Sequence, residues 1–208
     1  MMKYNPEIHN RKSLRLKGFD YSRPGAYSIT LCTQNRECLF GEIMNNEMIY
    51  NEYGLIVKQE WIKSEEIRNE IKLDVYQIMP NHLHAIVWII NVGDDIYCRD
   101  KRPFIPTINK PGTKQIPKMR PRSLSSLMAG FESSATKKIN QLRSSPGCKV
   151  WQYNFYDHII RNKQELYRIG QYIIDNPKNW KNDEHNPKTY SKPLERDPGL
   201  RNCLKMSY

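Results

Sequence analysis

Apolar and polar positions alternate over residues 26–33 (AYSITLCT), which predicts a first strand with Tyr27, Ile29 and Leu31 on one face and Ser28, Thr30 and Cys32 on the other. Residues 40–43 and 47–50 flank Asn45-Asn46 and read as a short hairpin insertion. A helix is expected over about residues 52–69, capped by Asn51, with Leu55, Ile56, Gln59, Trp61, Ile62 and Ile67 on an imperfect apolar face. Residues 72–80 predict a second strand, with Leu73, Val75 and Gln77 opposite Asp74, Tyr76 and Ile78. Pro80-Asn81 marks a turn into a third strand over residues 82–90 (HLHAIVWII).

A clearer helix follows over residues 123–142. Leu124, Leu127, Met128, Phe131, Ala135, Ile139 and Leu142 recur at helical spacing, and Ser123 or Ser125 serves as cap. Ser144-Ser145-Pro146-Gly147 breaks it, and a strand is expected from Val150, followed by an aromatic-rich loop towards Arg161. The last helix is expected over residues 163–176, with Asn162 as cap, Leu166, Ile169, Gly170 and Ile173 as its stripe, and Pro177 as its stop. Strand, helix, strand, strand, helix, strand is the ferredoxin-like order, an α+β antiparallel sheet with its two helices on one face and a further helix after it. The chain divides into a basic arm (1–25), one domain (26–180) and a polar tail (181–208). Within the domain, a basic, proline-rich segment over about 92–122 is unsuited to a regular helix and expected to be a flexible linker or a loop that orders on nucleic acid.

Charge sharpens this picture. Thirty-three Lys and Arg against 22 Asp and Glu leave the 208-residue chain at +11, a balance that favours a polyanionic partner such as nucleic acid. Thirteen tyrosines and four tryptophans add surfaces on which unpaired bases stack. Five cysteines, Cys32, Cys38, Cys98, Cys148 and Cys203, are odd in number and lack C-x-x-C spacing, which argues against a zinc site or disulfide framework and fits a reducing cytoplasm. No run of about 20 apolar residues is present, so no membrane span is expected.

The candidate chemistry begins at His82 and His84. Two residues apart on a strand, they project to one side, and paired imidazoles are half of a divalent-metal site. On the last helix Tyr172 and Asn176 stand one turn apart. The Asn176 amide oxygen is a candidate third ligand, and Tyr172 a candidate nucleophile toward a metal-polarised phosphodiester. Among other tyrosines, Tyr153, Tyr156 and Tyr167 compete, but Tyr156 lacks a helical partner four residues on. Neither G-x-S-x-G, P-loop nor G-x-G-x-x-G occurs. Asp157 and His158 read as structural or as part of a DNA-contacting turn. Arg11, Lys12, Arg15, Lys17, Arg120, Arg122 and Arg161 are candidate phosphate contacts.

Taken in order, Arg15-Leu16-Lys17-Gly18-Phe19-Asp20-Tyr21, Met79-Pro80-Asn81-His82-Leu83-His84, Val150-Trp151-Gln152, Phe155-Tyr156-Asp157-His158-Ile159-Ile160-Arg161 and Tyr172-Ile173-Ile174-Asp175-Asn176-Pro177 resemble the REP-associated tyrosine transposases, a branch of the single-tyrosine HUH (IS200-like) superfamily. The resemblance implies a ferredoxin-like nuclease that cleaves and rejoins single-stranded DNA at hairpin-forming palindromic repeats. It implies Mg²⁺ or Mn²⁺ held by His82, His84 and Asn176, and Tyr172 forming a 5′-phosphotyrosine as a 3′-hydroxyl leaves. Two imidazoles and an amide oxygen without thiolate suit those ions better than structural zinc. A monomer is expected, with a domain-swapped dimer as the alternative. The competing reading is a non-catalytic binder of single-stranded or hairpin nucleic acid, including a degenerate transposase, for which Tyr27, Tyr76 and Trp88 on the strands offer stacking surfaces.

Overall fold

The computed structural model describes residues 19–91 and 120–189. Residues 1–18 of the expected basic arm, with Arg11, Lys12, Arg15 and Lys17, nearly all of the proline-rich basic segment, and the tail beyond Thr189 lie outside the described residues.

The chain forms β1 (Gly25–Cys32), the hairpin β2 (Gly41–Met44) and β3 (Glu47–Tyr50), α1 (Glu52–Ile67), β4 (Ile71–Met79), β5 (His82–Ile89), α2 (Leu124–Leu142), β6 (Tyr156–Ile160) and α3 (Lys163–Asn179). The main sheet has the order β4-β5-β1-β6 with every neighbour antiparallel. With the β2–β3 hairpin set aside, this is the ferredoxin-like order read from the sequence.

The sheet's faces divide as the period of two requires. Tyr27, Ile29 and Leu31 stand opposite Val87, Ala85 and Leu83, and all belong to the main core with α1 and α2. Trp61 of α1 meets Phe131 of α2 at 5.0 Å between ring centroids, and Phe131 meets Trp151 at 5.7 Å. The other face carries Thr30 and Cys32 opposite His84 and His82, and α3 crosses it over β4 and β5. Thus the last helix lies on the side of the sheet away from α1 and α2, where it meets the two histidines.

Several elements depart from the expected boundaries. The buried stripe of α1 is Gly54, Val57, Glu60, Trp61 and Ser64, whereas Leu55, Ile62 and Ile67 are exposed. The cause is a buried charge: Glu60 is paired with Lys138 at 2.5 Å and hydrogen-bonded by Ser134, both from α2. A glutamate in the stripe conceals the true face from a hydrophobic count. In β4 the register shifts between Leu73 and Tyr76, so Leu73 joins the core with Tyr76 and Ile78 instead of standing opposite them.

The last strand begins at Tyr156, not Val150. Val150 and Trp151 are core residues held to the end of β1 by a single bridge, Thr33 to Trp151. Pro177 does not stop α3, which runs on to Asn179. The proline's missing donor is tolerated in the final turn, and Pro177 itself is buried. The start of the expected polar tail also folds. After a 3₁₀ turn over Trp180–Asn182, residues 183–189 return against the sheet.

Candidate metal and tyrosine centre

The centre is built on the two-residue turn between β4 and β5. Asn81, in that turn, is fully buried. Its Nδ2 donates to the backbone carbonyls of Arg36 (3.0 Å) and His185 (2.7 Å), which fixes the amide orientation. Oδ1 therefore faces His82 Nδ1 at 2.8 Å. Since that oxygen only accepts, Nδ1 carries the proton and the lone pair of His82 lies on Nε2. His84 Nδ1 pairs with Thr30 Oγ1, across the strand pair, at 2.8 Å.

Both rings are held neutral. Burial pushes the His82 pKa well below its ordinary value, helped by the neighbouring His84 and His185 and opposed by the nearby Asn176 amide. Burial, then His185, brings His84 down to about 3. The rings stand 4.5 Å apart between centroids, and Nε2 of each is buried without a hydrogen-bond partner.

Asn176 reaches the same place from α3. It is 1% exposed, and its Oδ1 is likewise buried without a partner. Tyr172, one turn earlier on α3, is half exposed and packs edge-on against His84, 5.3 Å between centroids. Its phenol pKa is raised by burial and by the carboxylates of Asp183 and Glu184, against a lowering hydrogen bond with Asn176. As expected from the sequence, α3 therefore presents Tyr172 and Asn176 together, and both meet the His82-Leu83-His84 strand.

The returning segment supplies what sequence reasoning missed. Asp183 is buried, and its carboxylate lies with a ligand nitrogen from each of His82 and His84 inside a 4.8 Å cluster. The His185 ring stands 4.6 Å from that of His82. This turn is pinned by the His185 carbonyl on Asn81, by Arg36 Nη1 on the Glu184 carbonyl (2.8 Å), and by Thr189 Oγ1 on the Asp183 carbonyl (2.8 Å). The available signal was short polar turn chemistry, Asp183 and Asn186 each bonding a backbone N–H two residues on. Burial also pushes the adjacent Cys32 thiol up to about 11, so a thiol and not a thiolate flanks the cluster.

These atoms fit a divalent cation. Three buried, unpartnered ligand atoms cost free energy unless something binds them, and with the Asp183 carboxylate they form an N₂O₂ donor set. A cleft of about 1170 Å³ opens beside them, lined among others by His84, Tyr172, Arg36, Arg168 and Tyr153.

Of the cations expected to touch phosphate, the three among the described residues lie outside this cleft. Arg120 is ion-paired with Asp20, Arg122 stands just before α2 with a left-handed backbone, and Arg161 is exposed in the turn into α3. None of the three lines the cleft, whereas Arg36 and Arg168 do. His158 lines it and pairs with Glu165 at 2.7 Å, while Asp157 stands opposite Ile29 on the core face of β6.

No protein-family model matches the chain. An uncharacterized protein of Haemophilus influenzae is 36% identical over 185 residues, covering 88% of this chain and 96% of that one. The fold is similar to that of a REP-associated tyrosine transposase solved bound to a REP hairpin, with a TM-score of 0.50 and 18% identity over 80% of this chain and 74% of that chain. With 36% identity over 185 aligned residues that cover most of both chains, this protein belongs to the same family as the Haemophilus influenzae protein, and its fold is that of the REP-associated tyrosine transposases.

Proposed function

We propose that this chain is a metal-dependent single-stranded DNA endonuclease and strand transferase in which Tyr172 is the nucleophile. The observation that carries the reading is the convergence of His82 Nε2, His84 Nε2 and Asn176 Oδ1, buried and unpartnered, beside that tyrosine. His82, His84 and Asn176 would hold Mg²⁺ or Mn²⁺, with Asp183 placed to add a carboxylate oxygen. Such an ion supplies charge withdrawal from a phosphodiester and favours the phenolate of Tyr172.

The chain's own groups do the rest. Tyr172 Oη forms a bond to phosphorus as the bond to the 3′-oxygen breaks, leaving a 5′-phosphotyrosine. The phenol gives up its proton and the departing 3′-oxygen gains one. Rejoining is the same exchange in reverse, with a 3′-hydroxyl attacking the phosphotyrosine. Burial and the Asp183 and Glu184 carboxylates hold the Tyr172 phenol pKa up against the opposing Asn176 amide, so the phenol needs the ion's charge to ionise, while the two neutral imidazoles remain available as donors at neutral pH. Packing of Tyr172 on His84 of its own chain supports action in cis by a monomer. The +11 charge and the transposase fold support hairpin-forming palindromic DNA as substrate.

The test is a covalent one. The protein is incubated with labelled single-stranded hairpins from its own genome and Mg²⁺ or Mn²⁺, and protein–DNA adducts are resolved under denaturing conditions. An adduct lost with chelator and in Tyr172→Phe is expected. An adduct that survives Tyr172→Phe removes this tyrosine from the reaction, and binding without any adduct favours the non-catalytic hairpin binder. No helix among the described residues is long and apolar enough to cross a membrane.

A further inference from the structure

The edge of the sheet beside the centre has a gap. β6 pairs with β1 up to Tyr156 opposite Thr30, and the next contact is the bridge of Trp151 to Thr33. Between these points β1 advances by two residues, Leu31 and Cys32, while the other chain spends four, 152–155. The excess chain bows out, held at its base by Gln152 N–H donating to the Cys32 carbonyl at 2.9 Å. This excursion lets the cleft at Tyr172 and His84 continue around the sheet edge to α2, where Ser125, Ala129 and Glu132 form one side at helical spacing.

A second cleft, of about 960 Å³, begins there. It shares Arg36, Ala129, Glu132, Gln152 and Tyr153 with the first, so the two form one path. Its far part is edged by Lys137 and Lys149, both exposed. Tyr153 stands at the junction with 88% of its surface exposed, the most exposed large hydrophobic side chain among the described residues. Glu132 is the junction's acid, and burial pushes its carboxyl up to about 7, so it carries only part of a negative charge at neutral pH. A wet aromatic face followed by a lysine-edged groove is the recognition chemistry of an unpaired nucleic-acid strand.

We propose that the unpaired strand flanking the scissile phosphate leaves the Tyr172–His84 centre past the gap at residues 152–155, stacks a base on Tyr153, and runs along the groove edged by Lys137 and Lys149. This rests on the nuclease reading for its direction, but its determinants lie apart from the metal and the nucleophile. None of Tyr153, Lys137 and Lys149 is among the residues expected from the sequence to touch phosphate.

The experiment uses the full chain carrying Tyr172→Phe, so that binding is read without cleavage, and a dye-labelled oligothymidylate of about 12 nucleotides followed by fluorescence anisotropy across a salt series. Adding Tyr153→Ala is expected to weaken binding about tenfold, and Tyr153→Phe to restore it, because stacking needs the ring and not the hydroxyl. Adding Lys137→Ala with Lys149→Ala is expected to reduce the slope of log K against log salt by about 1.4, two phosphates' worth for a single strand. Absence of oligonucleotide binding, or binding indifferent to both sets, overturns the path. If the parent forms the Tyr172 adduct while these variants bind as before, the path fails and the nuclease reading stands. If the variants behave as expected and no adduct forms, the path stands and the nuclease reading fails.

Discussion

Glu132 makes a quantitative prediction about the balance between stability and ligand binding. Its carboxyl is partly buried on α2, and burial raises its pKa from 4.5 to about 7. The sign follows from proton linkage. Between those two values the folded state holds more protons than the unfolded one, so stability is present in full below pH 4.5 and lost as pH rises through 7. The whole loss is about 3 kcal/mol by linkage, and about 2 kcal/mol after allowance for the part of the side chain that water still screens. Glutamine matches the neutral acid in shape and does not titrate. Glu132→Gln is therefore expected to match the parent near pH 4.5 and to exceed it by about 2 kcal/mol at pH 8. In a chain of this size that is roughly 4–8 °C in melting temperature. The assay is urea unfolding of both proteins in chelator at pH 5 and pH 8, with slopes compared to show that the exposed surface is unchanged. Equal midpoints at pH 8, or a gain of the same size at both pH values, would refute the reasoning, since a pH-independent gain means packing rather than charge burial. A stabilising substitution in the cleft is the trade expected where a site is kept for a ligand.

Other perturbations test the centre and the frame. Asn81→Ala removes the donor to two part-buried backbone carbonyls and the acceptor that sets the His82 tautomer. It is expected to cost about 2–4 kcal/mol in urea and to weaken Mn²⁺ binding about 10–100-fold by titration calorimetry. Mn²⁺ at about a hundredfold excess over its dissociation constant should add roughly 2.7 kcal/mol of stability, seen as a raised melting temperature. His84→Ala should abolish that rise, and a rise that persists would place the ion elsewhere. Gly54→Ala, which helix propensity alone scores as a gain of about 1 kcal/mol, is expected to destabilise by about 2 kcal/mol or more in urea, because its Cβ would lie 2.2 Å from the Phe40 carbonyl oxygen.

What the sequence disclosed and what it hid follow one physical division. Strands β1 and β5 and helix α2 were legible because each buries apolar side chains at its own period, and the partition of Tyr27, Ile29 and Leu31 from Thr30 and Cys32 followed directly. The α1 face was misread because Glu60 sits in its buried stripe, neutralised by Lys138 from a helix far along the chain, and no local pattern announces a charge whose partner is distant. The last strand was placed too early because Val150 and Trp151 are buried as a strand's residues would be, yet serve as core plugs before the excursion at 152–155. The return of residues 183–189 was invisible for a different reason: it is held by polar bonds, which leave no hydrophobic period to read. The same bonds explain why the centre is more than His82, His84, Tyr172 and Asn176. Asn81 selects the His82 tautomer with one end of its amide, and with the other it grips the His185 carbonyl, two residues beyond Asp183. One buried side chain thus sets the lone pair of His82 and seats the segment that brings a carboxylate to it. Ligand orientation and the fourth donor should therefore fail together when Asn81 is lost, whereas loss of Asp183 alone should leave the imidazoles aimed as they are.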